Sequence, residues 1–361
     1  MSDITVANYS VNTYPQFTQR DNKSDGTVIH SELNNVKDLI HLACETMSSE
    51  KLDFDTIMIK LAEPILSPEL EKFFVRLAQI NSKEKELHLL SAKSIELREQ
   101  YRLLGEDRTE LIGCMKNSII SQQIVTDKKY NVLQTQLEVE KYNSASEGDE
   151  VSCGTSYAEL WEKLAIAIAE IKENYVDFYA NLMLAYTDMY QEFNETVQAA
   201  SSSAVSAGDD GNNVSFNAAE MDSGFEAFNK YLKDHEDELG YVDVNQIDNI
   251  APTLKPAFNV AADGKITFNL DQYDQLSHFD SQEGTYPNRY PAGLKDGKVS
   301  TTSYQAWQTT FNSCSSAMQS YMQTFFQRYT QANSTFDTIN KQLSGSITSL
   351  GECAESFLKN Q

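Results

Sequence analysis

The chain has 361 residues, 40% of them hydrophobic, with 29 basic against 53 acidic side chains for a formal charge of −24 and a pI near 4.5. That is enough apolar material for a core and too much for wholesale disorder. The negative charge repels phosphate backbones and anionic lipid, so no nucleic-acid partner is expected.

Met1 to Ile29 is polar and aperiodic and reads as a flexible tail over residues 1–29, without the basic start and apolar core of an export leader. Ser31–Met47 and Phe54–Glu63 read as short helices. Ser67-Pro68-Glu69 is a helix start: a capping hydroxyl, a first-turn proline and an acid. The stripe Leu70, Phe73, Leu77, Ile80, Leu87, Leu90, Leu97, Tyr101, Leu104 follows, and Gly105 is positioned to end it. Asp107 then opens a second helix with Ile112, Met115, Ile119, Tyr130, Leu133 and Leu137 on one side. Residues 30–145 therefore read as a helical hairpin, with Asn143–Thr155 as a linker.

From Tyr157 a seven-residue repeat begins. Trp161, Ile168, Tyr175, Leu182 and Met189 recur at that spacing, interleaved with Leu164, Ile171, Phe178 and Ala185. A second repeat follows about a hundred residues later: Tyr304, Phe311, Met318, Phe325, Ala332 and Ile339, interleaved with Trp307, Cys314 and Tyr321. Such repeats keep one narrow seam against a partner helix, as in a coiled coil. At ~1.5 Å per residue the two helices would reach roughly 60 and 80 Å. After Phe325 the second stripe moves to Tyr329, Phe336, Leu343, Leu350 and Phe357. A helix of 3.6 residues per turn drifts this way against a 3.5-residue repeat. The broader face suits more than one neighbour, and the hairpin is available.

Between the repeats the pattern changes. Ala199–Asn213 reads as a loop, Val214–Phe216 as a short strand and Ala218–Lys233 as a helix. Phe258 to Leu270 reads as a β-hairpin turned by Asp263-Gly264. Val205–Ser300 holds 7 basic and 17 acidic residues. The fold class is thus mainly α and elongated: a long antiparallel coiled coil (155–200 and 302–361), an N-terminal helical hairpin, and an inserted small α/β domain (201–301).

Chemistry-bearing motifs are few. His30, His41, His88, His235 and His278 lack zinc spacing, and the five cysteines lack metal or redox spacing and read as reduced thiols. Two acidic stretches imitate calcium loops and fail. One has Leu239 and Asn245 where a glycine and a closing glutamate are needed; the other has Asn259, Ala261 and Leu270 at ligand positions. No catalytic residue, cofactor or metal site emerges, and the chain reads as a non-enzyme. Periodicity alone leaves a soluble coiled-coil scaffold or a helical pore-forming toxin open, although Leu164–Ala169 is too short an apolar run to enter lipid.

Particular residues narrow the choice. Tyr157-Ala-Glu-Leu-Trp161, then Ala185-Tyr-Thr-Asp-Met-Tyr-Gln-Glu-Phe193, resembles the first long helix of the needle-tip proteins of type III secretion systems, the IpaD/SipD/BipD group. Asp210–Val214 through Asn229-Lys-Tyr231 is similar to the start of their inserted domain. Tyr304-Gln-Ala-Trp-Gln308, Arg328–Ser334 and Ser356-Phe-Leu358 resemble their last helix, whereas Ala199–Ala207 departs from the family's loop.

The resemblance implies a virulence protein that passes from the cytoplasm through the secretion apparatus to the bacterial surface. There it would cap the needle as an oligomer, gate secretion and support a translocation pore on host membranes. Its partners would be the needle protein, further copies of itself and hydrophobic translocators, with bile salts as a sensed ligand. It also implies that the hairpin acts as a built-in chaperone and that the coil end away from the insertion meets the needle. Lys341, Ile347, Leu350 and Phe357 are the expected needle-docking residues there, and the expected coil seam is Trp161, Leu164, Ile168, Ile171, Tyr175, Phe178 and Leu182 against Trp307, Phe311, Met318 and Phe325.

Overall fold

The computed structural model describes residues 68–91, 95–146, 165–166, 168–169, 171–208, 213–276 and 297–359. The N-terminal tail, the short helices expected before Ser67, and Trp161 and Leu164 lie outside these residues.

Helix α1 (Pro68–Ser91) begins at the proline anticipated from the capping sequence. Helix α2 (Ile95–Ser146) runs antiparallel to it. Gly105, expected to end the first helix, stays helical inside α2. A glycine in a helix interior costs only about 1 kcal/mol, and the neighbouring turns bury Tyr101, Arg108, Leu111 and Ile112. Tertiary packing overrides the local stop signal.

The first coil helix is helical at the described residues from 165 to 203 and contains two π-helical turns, Lys172–Asp177 and Asn194–Gln198. Between them lies α3 (Phe178–Phe193), and α4 (Ala199–Ser203) completes it. The segment expected as a loop after Ala199 is thus one more helical turn followed by strand β1 (Val205–Ala207). Its small residues let the next helix close in: a Cβ added at Gly224 would lie 2.5 Å from Ala200 Cβ and 2.8 Å from the Thr196 carbonyl oxygen. The second coil helix, α8 (Thr301–Lys359), is 59 residues long, on the order of 90 Å.

The inserted part comprises β2 (Asn213–Phe216), α5 (Ala218–Asp234), α6 (Ile247–Leu254), β3 (Phe258–Val260), β4 (Ile266–Phe268), α7 (Asp271–Leu276) and β5 (Gly297–Ser300). Strands β1, β2 and β5 form an antiparallel sheet in that order, with Val205 opposite Phe216 and Val214 opposite Val299. The Asn217 side chain caps α5 by accepting from the Glu220 amide. β3 and β4 form the expected hairpin. Its turn closes through the Gly264 amide on the Ala261 carbonyl, and Gly264 adopts φ +87°, which favours glycine.

The two coil helices meet antiparallel through aromatic layers. Tyr179 stacks on Phe325, the Tyr186 hydroxyl donates to the Met318 carbonyl at 3.3 Å, and Phe193 stacks on Phe311. Seven residues forward on one helix is seven back on the other, the geometry of a heptad seam. On the first helix, however, this seam stands one residue on from its expected place. Val176, Tyr179, Met183, Tyr186, Tyr190, Phe193 and Val197 are buried at alternating three- and four-residue steps; of the expected stripe Leu182 and Met189 are buried as well, whereas Tyr175 and Phe178 are half-buried. The π turn at Lys172–Asp177 accommodates the extra residue. Upstream of it Ile168 keeps its expected buried position and Ile171 is partly buried. On α8, Trp307, Phe311, Met318 and Phe325 are all buried.

Candidate functional site

The coil end away from the inserted part is built from the last turns of α8. Lys341 is exposed and pairs with Asp337 four residues earlier at 3.0 Å. Asp337 also accepts a bond from Lys129 of α2. Burial pushes the Asp337 carboxyl up, but the bonds from Lys129 and Lys341 outweigh it and hold the group below its ordinary range.

Ile347 differs from the expectation of a free docking end. It is only 4% exposed and belongs to one apolar cluster with Leu133 and Leu137 of α2, Ile168 and Val176 of the first coil helix, and Phe336. The reason is the reach of α2, whose 52 residues carry it down the coil beside Ile347. The Ser344 hydroxyl donates to Gln136 of α2 at 2.9 Å, fixing the same contact. Leu350 and Phe357 continue α8, and their side chains lie outside the described residues.

The hairpin packs on the coil through apolar side chains, Leu77, Ile80, Ile112, Met115 and Ile119 lying in one buried cluster with the coil and Phe74 meeting Phe326 edge-on, and polar pairs accompany this contact along its length. Nearest the inserted part, Arg108 (1% exposed) forms a buried ion pair with Glu84 and donates to Asn194 Oδ1 at 3.0 Å, while Gln198 donates to Glu84 at 2.9 Å. Desolvation pushes the Arg108 guanidinium down, the cost of burying a cation. Asn81 bonds Gln319, Thr126 bonds Asn333 at 2.7 Å, and Lys172 pairs with Asp127 at 2.8 Å.

A cleft of about 310 Å³ opens between α2, α3 and the inserted part. Its apolar lining includes Phe178, Leu182, Ala185 and Phe268; of the residues expected on the coil seam, Phe178 and Ala185 are only half-buried here, whereas Leu182 is buried in the core. On its wall His235 stacks on Tyr231, ring centroids 4.1 Å apart. Glu192, Glu195 and Glu238 give the rim an acidic character. Burial raises the Glu192 carboxyl, and the neighbouring Glu195 charge adds to the shift. Lys116 is committed to Asp188 at 2.5 Å. Among the described residues no group of three or more His, Cys, Asp or Glu side chains is placed to hold a metal ion, and no helix is long and apolar enough to cross a membrane.

The motif Tyr304-Gln-Ala-Trp-Gln308 acquires a structural reason. Tyr304 and Trp307 are each 2% exposed and lie against Phe216 of the central strand β2, with the Trp307 ring 5.6 Å from it. The motif joins the sheet to the coil. The aromatic residues Tyr179, Tyr186, Tyr190 and Phe193 escaped the periodicity argument. Their heptad spacing was visible, yet the phase chosen upstream assigned them to a flank.

An antiparallel two-helix coil, flanked along its length by a helical hairpin and joined at one end to an inserted α/β unit, defines an elongated, mainly helical protein. The chain belongs to the family of type III secretion systems tip complex components, whose model matches residues 71–262 and 295–358.

Among curated proteins it is 27% identical over 215 residues to the invasin IpaD of Shigella dysenteriae, covering 56% of this chain and 60% of that one. It is 28% identical over 216 residues to the cell invasion protein SipD of Salmonella typhi, covering 56% and 62%, and 27% identical over 201 residues to the translocator protein BipD of Burkholderia thailandensis, covering 55% and 58%. The matches span about 60% of the length of these relatives. A solved structure of BipD from Burkholderia pseudomallei aligns at 20% identity with a TM-score of 0.44, over 72% of this chain and 82% of that one.

Proposed function

We propose that this protein is a non-enzymatic tip component of a type III secretion needle. It leaves the cytoplasm through the secretion apparatus and caps the needle at the bacterial surface as an oligomer. There it gates secretion and supports assembly of the translocation pore on host membranes. Its partners are the needle protein, further copies of itself and hydrophobic translocators. The observation that carries this reading is the covered end of α8, where Ile347 shares an apolar cluster with Leu133 and Leu137 of α2 while Ser344 and Asp337 bond the same helix. Apolar contact area sheathed by a separate hairpin suits a surface used after delivery, because exposing it earlier would promote aggregation. Lys341, Ile347, Leu350 and Phe357 act as the needle-facing set once that cover is displaced.

A bile-salt response follows from the family resemblance, with no residue assigned to it. The acidic rim of the cleft opposes a steroid carboxylate there. The test is removal of Gly351–Gln361 from the secreted protein. The truncated chain should keep its helical circular dichroism yet fail to decorate needles in immuno-electron microscopy. Normal decoration would put needle contact elsewhere on the rod.

A further inference from the structure

The outer face of α2 carries an apolar stripe that the coil does not bury. Val125, Val132 and Val139 recur every seven residues and are 49%, 59% and 52% exposed. They prolong the line of Leu104 and Leu111 at the same spacing, interrupted only by Ser118. Those two leucines lie in or against the cluster that α2 shares with Phe74, Leu77 and Ile80 of α1. Single apolar residues on a surface need no explanation. Valine, however, is a mediocre helix former, and its recurrence at one heptad position is what a partner helix selects.

The stripe starts where α1 stops. Glu84 of α1 pairs with Arg108 of α2 across the antiparallel hairpin. Pro68 lies 16 residues before Glu84 and so stands about level with Ile124, 16 residues after Arg108. The chain that precedes Pro68 is therefore delivered to the near end of the stripe. Followed along α2 at the same rise, Ile65 and Leu66 come about level with Val125, Leu61 with Val132 and Phe54 with Val139. The seven-residue spacing from Phe54 to Leu61 matches that of the valines, and Glu63 falls close to the exposed Lys128. These residues precede residue 71, where the family match begins.

We propose that Phe54–Leu66 docks antiparallel along Val125, Val132 and Val139, so that α2 is paired on its outer side by α1 over one half and by this segment over the other. A second copy of the chain is the competing occupant. The tether decides between them, because a segment joined to α1 a few residues away meets the stripe at an effective concentration in the millimolar range, which a separate molecule does not reach in dilute solution.

Disulfide trapping in the full chain, with its native cysteines replaced by serine, tests this. The pair Leu61→Cys with Val132→Cys should close within one molecule roughly tenfold faster than Leu61→Cys with Leu103→Cys. Leu103 is similarly exposed on the same helix and about 40 Å away. Equal rates overturn the proposal, and so does a disulfide that forms only between molecules, which assigns the stripe to a second copy. Hydrogen exchange of the unaltered chain is independent of variant folding. The amides of 54–63 should exchange at least about tenfold more slowly than in an unstructured peptide, and exchange at the peptide rate overturns the proposal. Val132→Asp with Val139→Asp should remove that protection while 68–91 keeps its own. Protection of 54–63 that survives both aspartates puts the segment on another surface and likewise overturns it.

Discussion

Tyr179 and Phe325 lie ring on ring across the coil, centroids 5.7 Å apart and planes 28° from parallel. Phe325 is fully buried and also meets Phe258 of the inserted hairpin edge-on at 4.9 Å. One side chain therefore ties both coil helices to the inserted unit.

Phe325→Ala should cost about 3–5 kcal/mol, the range for an aromatic removed from a packed core. Phe325→Asp should abolish cooperative unfolding, since an unpaired charge in that layer has no partner. Phe178→Ala, on the half-buried cleft side, should cost much less. Thermal melts followed by circular dichroism rank the three; equal losses at Phe178 and Phe325 would contradict the observed seam.

The buried Glu84–Arg108 pair makes a different prediction. Removing one partner by Arg108→Met or Glu84→Leu should destabilise by about 3–5 kcal/mol, because the other charge stays buried alone. The double substitution should recover most of that loss. Urea titrations of the three variants supply the cycle, and additive losses would mean that the charges do not interact.

Deleting residues 1–145 removes Leu133 and Leu137 from Ile168, Phe336 and Ile347. The exposed apolar strip should raise self-association in light scattering at matched concentration. A strictly monomeric truncated chain would refute the covering role assigned to α2.

Acid should loosen the lower hairpin contact. The folded Asp337 carboxyl is held below its ordinary value despite partial burial, so its contribution is present above the unfolded pKa near 4 and is lost as pH falls through the lower folded value. Asp337→Asn should flatten this acid dependence, read as hydrogen exchange in α2 between about pH 5 and 3.

Thiol chemistry separates two described cysteines. Cys314 is buried and its thiol is pushed up to about 12 by desolvation, whereas Cys114 is exposed. Iodoacetamide with peptide mapping should modify Cys114 in the folded chain and Cys314 only with unfolding. Equal labelling rates would show that the coil opens locally at Cys314.

The sequence by itself determined what depends on local chemistry and spacing. Ser67-Pro68 marked the start of α1, and Asp263-Gly264 marked a turn that needs a positive φ. The heptads at Trp161–Met189 and Tyr304–Ile339 specified two long helices joined by a different kind of domain. Trp307, Phe311, Met318 and Phe325 could be assigned to the core because α8 carries its repeat through that region without interruption.

Tertiary structure decided the rest, where one local preference competed with many distant contacts. Gly105 was a sound stop signal, yet Arg108 can meet Glu84 and Asn194 only if the helix continues. The phase of the first seam was not legible, because the π turn at Lys172–Asp177 adds a residue to the helix that the seven-residue repeat does not announce. Ile347 looked like a free end for a similar reason. A periodic stripe records that a face is apolar, while the length of α2 decided what covers it.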